Sequence, residues 1–68
     1  MTRRARARDN ELHHLSCYDG TRQIGLIHER AGRCRAWTWP TEIYLGEFLN
    51  RRDAFRAIAL ADRAGRDT

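Results

Sequence analysis

The sequence has no lysine, one proline and two cysteines among its 68 residues. It also has no apolar run that approaches the roughly 20 residues a membrane-spanning helix needs. The basic N-terminus is followed by polar residues rather than by an apolar segment, which is unlike a signal peptide. We therefore expect a cytoplasmic protein that contacts no membrane.

A chain of this length forms one domain with a small core, a size at which a metal, a disulfide or a partner often adds stability. Cys17 and Cys34 are expected to be free, buried thiols, as is usual inside cells. The alternative is a zinc site made of both cysteines and two of His13, His14 and His28, but this spacing matches no zinc finger or ribbon. We predict no metal and no cofactor.

Recognisable catalytic motifs are also missing from the sequence. No serine or cysteine stands beside a histidine in a recognisable turn, and no glycine-rich phosphate loop precedes a helix. No two carboxylates are paired at a spacing that suits acid–base chemistry, and the acidic residues are better explained by helix capping and surface pairing. We predict that the protein is not an enzyme.

All 13 basic residues are arginines, and together with 9 acidic residues they give a formal net charge of +4. Arginine favours bidentate contacts with phosphates and with base edges. A composition rich in arginine and alanine also follows from a GC-rich genome, so the lack of lysine decides nothing by itself. The positive charge is compatible with an acidic partner such as DNA.

The clearest helical pattern covers residues 51–64. Asn50 can cap its N-terminus together with Asp53, and Gly65 is expected to end it. One side of the helix is apolar and mostly small, which lets the helix lie close to the layer it packs on; it comprises Ala54, Ala57, Ile58, Ala61 and Ala64.

The residues before this helix alternate in the way that strands do. Extended segments are predicted at residues 12–18, 22–29, 34–39 and 42–47, separated by turn signals and by Pro40. The pattern predicts an α+β fold in which three or four antiparallel strands are covered by one C-terminal helix. We expect a disordered basic arm at residues 1–11, the domain at 12–64 and a short tail at 65–68.

Several short motifs carry a resemblance to a known family. They are Gly25-Leu26, Gly32-Arg33-Cys34-Arg35-Ala36, Tyr44-Leu45-Gly46-Glu47-Phe48, and Arg52-Asp53-Ala54 with Ala57 and Ala61. Over residues 22–64 the sequence resembles the DNA-binding domain of the ethylene-response-factor type and is similar to the N-terminal arm-binding domain of phage-type tyrosine integrases. The resemblance implies a three-stranded antiparallel sheet with a helix across one face, and an open face that lies in the DNA major groove.

The resemblance also implies which side chains face the helix. These are Leu26, Cys34, Ala36, Ile43, Leu45 and Phe48. The open face would then carry Ile27, Glu29, Arg33, Arg35, Trp37, Trp39 and Tyr44. The sequence departs from the family at Ile27, Glu29 and Glu42, where arginines are usual, and this weakens the case for base reading.

Trp37 and Trp39 have two interpretations: either both indoles are core beneath the helix, or both are exposed on the open face. In the second case we predict a surface that binds double-stranded DNA, formed by Arg33, Arg35, Trp37, Trp39 and Tyr44. The arginines of the arm, Arg3, Arg4, Arg6 and Arg8, would assist by contacting phosphates. The alternative function is a protein-interaction or self-associating module, such as a homodimer, that uses the same Trp37/Trp39 face.

Overall fold

The computed structural model describes residues 11–66 and contains four strands and one helix. The strands are β1 (His13–Asp19), β2 (Arg22–Arg30), β3 (Arg33–Thr38) and β4 (Tyr44–Phe48), and the helix α1 is Arg51–Arg66. All strands pair antiparallel in the order β1-β2-β3-β4, with α1 against one face. The predicted α+β architecture is confirmed, with four strands. Arg3, Arg4, Arg6 and Arg8 of the predicted arm lie outside the described residues.

The connections follow from local backbone preferences. Ala31 (φ 52°) and Gly32 (φ 77°) link β2 to β3 as a two-residue turn in which both central residues have positive φ. This geometry matches the twist of a hairpin, and glycine adopts it without strain. β3 ends at Thr38, just before Trp39 and Pro40. This is expected, because proline has no backbone N–H to donate to a sheet ladder.

The start of α1 is capped as predicted, but its end is not. Asn50 Oδ1 accepts a hydrogen bond from the Asp53 backbone N–H at 2.8 Å, and Asn50 Nδ2 donates to Asp53 Oδ2 at 3.3 Å. This satisfies one of the N–H groups left unpaired at a helix start. The expected stop at Gly65 is wrong, because the helix continues through Gly65 to Arg66. Gly65 lacks the positive φ of a terminating glycine.

The core is made of small and branched side chains between α1 and the sheet. Ala54 and Ile58 of the helix meet Cys34 and Ala36 of β3, and all four are fully buried. Cys17, Ile24 and Ile27 complete the buried set, with Leu45 and Phe48 packed against it. The predicted inward positions of Cys34, Ala36, Leu45 and Phe48 are therefore confirmed.

The helix approaches β2 most closely at Gly25. A Cβ atom placed there would lie 2.8 Å from Ile58 Cδ1 and 2.8 Å from the Trp37 carbonyl oxygen. Carbon atoms in contact are normally about 3.5–4.0 Å apart, so any side chain would push the layers apart. Gly25 therefore determines how near α1 can lie to the sheet.

Two ion pairs join the ends of β2 to the ends of α1. Arg51 donates to Glu29 Oε1 from Nη2 at 2.6 Å, and Arg22 donates to both carboxylate oxygens of Asp62 at 2.8 and 3.1 Å. The hydrogen bond from Arg51 lowers the pKa of the Glu29 carboxyl below its ordinary value. One pair joins the start of β2 to the end of α1 and the other joins the end of β2 to the start of α1, as expected for two antiparallel elements.

The orientation predicted for β2 is wrong by one residue. Ile27 is 2% exposed and lies opposite Ala36 on the helix side, whereas Leu26 lies opposite Trp37 on the other face. Glu29 is two residues from Ile27 and therefore on the same side of β2, and its carboxylate forms an ion pair with Arg51 of the helix. Glu29 is therefore not on the open face either. Leu26 and Ile27 are both apolar, so alternation alone could not choose between them, and a slip of one residue reverses every side chain of a strand. Ile43, expected to face the helix, lies in the loop before β4 and is largely exposed.

We predict that Gly25→Ala destabilises the fold by about 1–3 kcal/mol, the usual range for overpacking. Gly65→Ala is the matched control, because a Cβ at Gly65 meets nothing within 4 Å and alanine is the better helix former. Urea unfolding followed by circular dichroism measures both. Equal stability of Gly25→Ala and the wild type would show that the close approach at Ile58 is unimportant.

Candidate nucleic-acid interface

One face of the sheet is free of the helix; we call it the open face. The strand registers align its side chains in rows across the four strands. One row is Ser16, Leu26, Trp37 and Tyr44, the next is His14, His28, Arg35 and Glu47, and the last pairs Arg30 with Arg33. The face therefore combines aromatic rings, arginines and one carboxylate from β4.

Four rings form a continuous run across the open face. The ring centroids of His14 and His28 are 4.4 Å apart, those of His28 and Trp37 4.6 Å, and those of Trp37 and Tyr44 5.3 Å. A register shift after Ala36 brings Tyr44 beside Trp37. The His28–Trp37 and Trp37–Tyr44 spacings are within the range of favourable ring contacts, and the two histidine rings lie slightly closer, so the run orders a surface that reaches from β1 to β4.

Glu47 binds both central arginines. Arg33 Nη1 donates to Glu47 Oε2 at 2.7 Å, and Arg35 Nε donates to Glu47 Oε1 at 3.3 Å. These hydrogen bonds, with Arg33 the larger cause, lower the pKa of the Glu47 carboxyl. The guanidinium groups are well exposed, and such surface pairs contribute only about 0–1 kcal/mol. Arg33 and Arg35 can therefore exchange this carboxylate for another anion at small cost.

A shallow hollow of about 420 Å³ lies beside these arginines. His28, Arg30, Arg33, Arg35, Trp37 and Glu47 line it, together with Leu12 and Ala31. Three guanidinium groups and one carboxylate surround this hollow, so its rim carries net positive charge. An anionic group that enters it meets donors from both strands of the β2–β3 hairpin.

His28 is the most protected of the open-face titratable groups. Its ring lies between His14 and Trp37, and partial burial lowers the pKa of the imidazole, because desolvation disfavours the charged form. The neighbouring His14 lowers this pKa further. His28 is therefore more often neutral at pH 7 than an exposed histidine.

The two tryptophans do not share a surface. Trp37 is half-buried on the open face, in contact with His28 and Tyr44. Trp39 lies beyond the end of β3 and lines a separate hollow with Ile24 and Leu45, and with Ala61 and Gly65 of the helix. The predicted joint Trp37/Trp39 face is therefore wrong, and so is the interpretation that both indoles are core. Trp39 is not an open-face residue, because the chain turns after Thr38.

The sheet separates the cysteines of the alternative zinc site from two of its three histidines and leaves His13 on their side. Cys17 and Cys34 are free thiols buried on the helix side, where burial raises the pKa of each. His14 and His28 lie on the opposite face. Within residues 11–66, no three side chains of histidine, cysteine, aspartate or glutamate are grouped to hold a metal ion.

Sequence reasoning placed Arg33, Arg35, Trp37 and Tyr44 correctly on the open face, and it missed His14, His28 and Arg30. The histidines had been considered as ligands of the alternative zinc site, and Arg30 had not been named as a candidate. The alternation around Leu15 and Cys17 already placed His14 opposite the core. Only the pairing of β1 with β2, which puts His14 opposite His28, shows that the histidines meet.

Comparison of the chain with protein-family models, with curated proteins and with solved structures gave no match. Among the described residues, α1 is neither long nor apolar enough to cross a bilayer. The geometry of the open face is therefore what supports a functional assignment.

The contact between His28 and Trp37 gives a direct test of this geometry. Protonated imidazole quenches indole fluorescence, so Trp39→Phe, which retains Trp37, should become brighter as pH rises through the His28 titration. The midpoint should lie below the ordinary histidine pKa of about 6.5. Trp37→Phe, which retains Trp39, should show no such transition. A shared transition in both variants would contradict the arrangement of the rings.

Proposed function

We propose that this protein binds double-stranded DNA through the open face of its sheet. One observation carries the proposal: Arg30, Arg33 and Arg35 converge beside the aromatic run on a surface that no other element of residues 11–66 covers. The proposal adopts the mode of binding implied by the resemblance to ethylene-response-factor type domains and integrase arm-binding domains. We propose further that the protein is cytoplasmic and is not an enzyme.

The charge distribution supports the proposal more strongly than the sequence did. Glu29 had been an argument against DNA, since a carboxylate on the contact surface repels phosphates. Glu29 lies instead on the helix side, bound to Arg51, and Glu42 lies in the loop before β4. Of the strand carboxylates among residues 11–66, Glu47 remains on the open face, held by two arginines.

The dimensions of the sheet favour the β2–β3 hairpin as the part that approaches the groove. Four strands about 4.8 Å apart place the outer strands about 14 Å from each other, wider than a major groove of about 12 Å. A two-stranded ribbon fits such a groove. The hairpin ends in Ala31-Gly32, with no side chain larger than a methyl group, and Arg30 and Arg33 flank this turn.

The remaining residues would then have distinct roles. Arg35 and Arg33 would contact phosphates or base edges after leaving Glu47, and Trp37 and Tyr44 would pack on the sugar-phosphate backbone. Arg3, Arg4, Arg6 and Arg8 precede β1 in the sequence, and we include them as sequence-independent phosphate contacts. Since most of these contacts are ionic, binding should weaken steeply with added salt.

We expect the double variant Arg33→Gln/Arg35→Gln to bind mixed-sequence duplex DNA at least about tenfold more weakly than the wild type. Two lost phosphate contacts should also reduce the slope of log K against log salt by about 2. The control Arg52→Gln/Arg56→Gln removes the same charge from exposed positions on the helix. Fluorescence anisotropy at low salt measures both. An equal loss of DNA affinity in the two double variants would indicate a non-specific effect of charge and would contradict binding through the open face.

A second function uses the same surface to bind a protein partner or a second copy of the chain. The observation in its favour is that Glu47 pairs with both Arg33 and Arg35 and halves their charge, beside a Tyr44 that is 52% exposed. Aromatic and arginine side chains are common anchors of protein interfaces. The surface involved would be Trp37 and Tyr44, without Trp39.

Glu47→Gln separates the two functions. Under the DNA proposal the variant should bind duplex DNA several-fold more tightly, because both guanidinium groups become available to phosphate and a repulsive charge is lost. Glu42→Gln, with the same change of charge in the loop, should have a smaller effect. If Glu47→Gln leaves DNA affinity unchanged but alters the oligomeric state in light scattering, the interaction module is the better description.

A further inference from the structure

The open face contains a pair of histidines that the proposed function has not used. His14 of β1 and His28 of β2 are opposite each other in the sheet, with ring centroids 4.4 Å apart. His28 also contacts Trp37 and lines the hollow between the arginines. The pair therefore continues the arginine surface toward β1, the strand farthest from Glu47.

We infer that His14 and His28 are two further contact residues of the DNA-binding face, and that they couple DNA affinity to proton uptake. The inference rests on the proposed function and extends it from the β2–β3 hairpin to β1. Neutral imidazoles add no charge to the face, whereas protonated imidazoles add donors and positive charge beside Arg35. The surface then attracts phosphate more strongly as pH falls.

The groups around the pair determine the direction of this coupling. His28 faces His14 on β1, Arg30 on its own strand, and Arg33 and Arg35 on β3. Glu47 of β4 is the carboxylate that lines the same hollow, and it is bound to two arginines. Partial burial, and then the charge of His14, oppose protonation in the free protein and lower the pKa of His28.

A phosphate placed against the pair reverses this balance. Negative charge near an imidazole raises its pKa, so DNA binding takes up protons and lower pH strengthens binding. Linkage limits the effect to tenfold in affinity per pH unit for each proton taken up. Because the pKa values of Glu29 and Glu47 are lowered, these carboxylates stay ionised above pH 5 and are not the source of a change in this range.

The test measures DNA affinity of the full chain from about pH 7.5 to about pH 5.5 at constant ionic strength, the range in which histidine titrates. The probe is a tetramethylrhodamine-labelled duplex of about 20 base pairs, long enough to exceed the width of the sheet, with a dye that does not titrate in this range. Wild type should bind at least about fivefold more tightly at the lower pH. His14→Gln/His28→Gln should vary by less than about twofold.

His13→Gln is the matched control, because His13 is adjacent in sequence but lies on the helix side of β1, opposite Glu29. It should retain the pH dependence of the wild type. Circular dichroism at both pH values confirms that each variant is folded.

The outcomes separate this inference from the proposed function. Tight binding by the wild type that does not change with pH would overturn the role of the histidines and leave DNA binding intact. The same pH dependence in His14→Gln/His28→Gln as in the wild type would also overturn it. Failure of the wild type to bind duplex DNA at any pH in the range would overturn both the role of the histidines and the proposed DNA binding.

Discussion

The contact of Ile58 with the backbone at Gly25 is the constraint on which the rest of the structure depends. With only 68 residues, the chain has few large apolar side chains to bury, and its core is built mainly from alanine, isoleucine and cysteine. Such a core is tight only if the helix and the sheet approach closely. Gly25 permits that approach on β2, and Cys34 and Ala36 permit it on β3.

Because α1 lies close to one face of the sheet, the larger side chains of the strands lie on the other face. Trp37, Tyr44, His28 and the long arginines of β3 have no place beneath α1, so the alternation of the strands carries them to the open face. There they order one another through ring contacts and through Glu47. The same packing that stabilises the fold thus creates the surface to which we assign its function.

Charge is divided between the two faces in a consistent way. On the helix side, Glu29 and Asp62 are bound by Arg51 and Arg22, which pair the sheet with the helix. On the open face, arginines outnumber the carboxylate among the strand residues, and their ion pairs are exposed and exchangeable. The carboxylates paired with the helix layer are therefore separated from the surface that we propose for an anionic partner, where Glu47 would oppose binding.

The sequence by itself determined the α+β class, the positions of the strands within one or two residues and the cap at Asn50. These follow from turn residues, alternation and the alanine-rich helix, all of which are local signals. The outward direction of Arg33, Arg35 and Tyr44 was implied by the family resemblance, since alternation leaves open which side of a strand faces the helix, and Trp37 had two interpretations. Only the tertiary structure decided that Ile27 rather than Leu26 is core, that Trp39 leaves the open face, and that His14 meets His28. The reason is that strand register and the path of the chain after a strand both depend on packing against distant residues. A local pattern of two adjacent apolar side chains does not encode that packing.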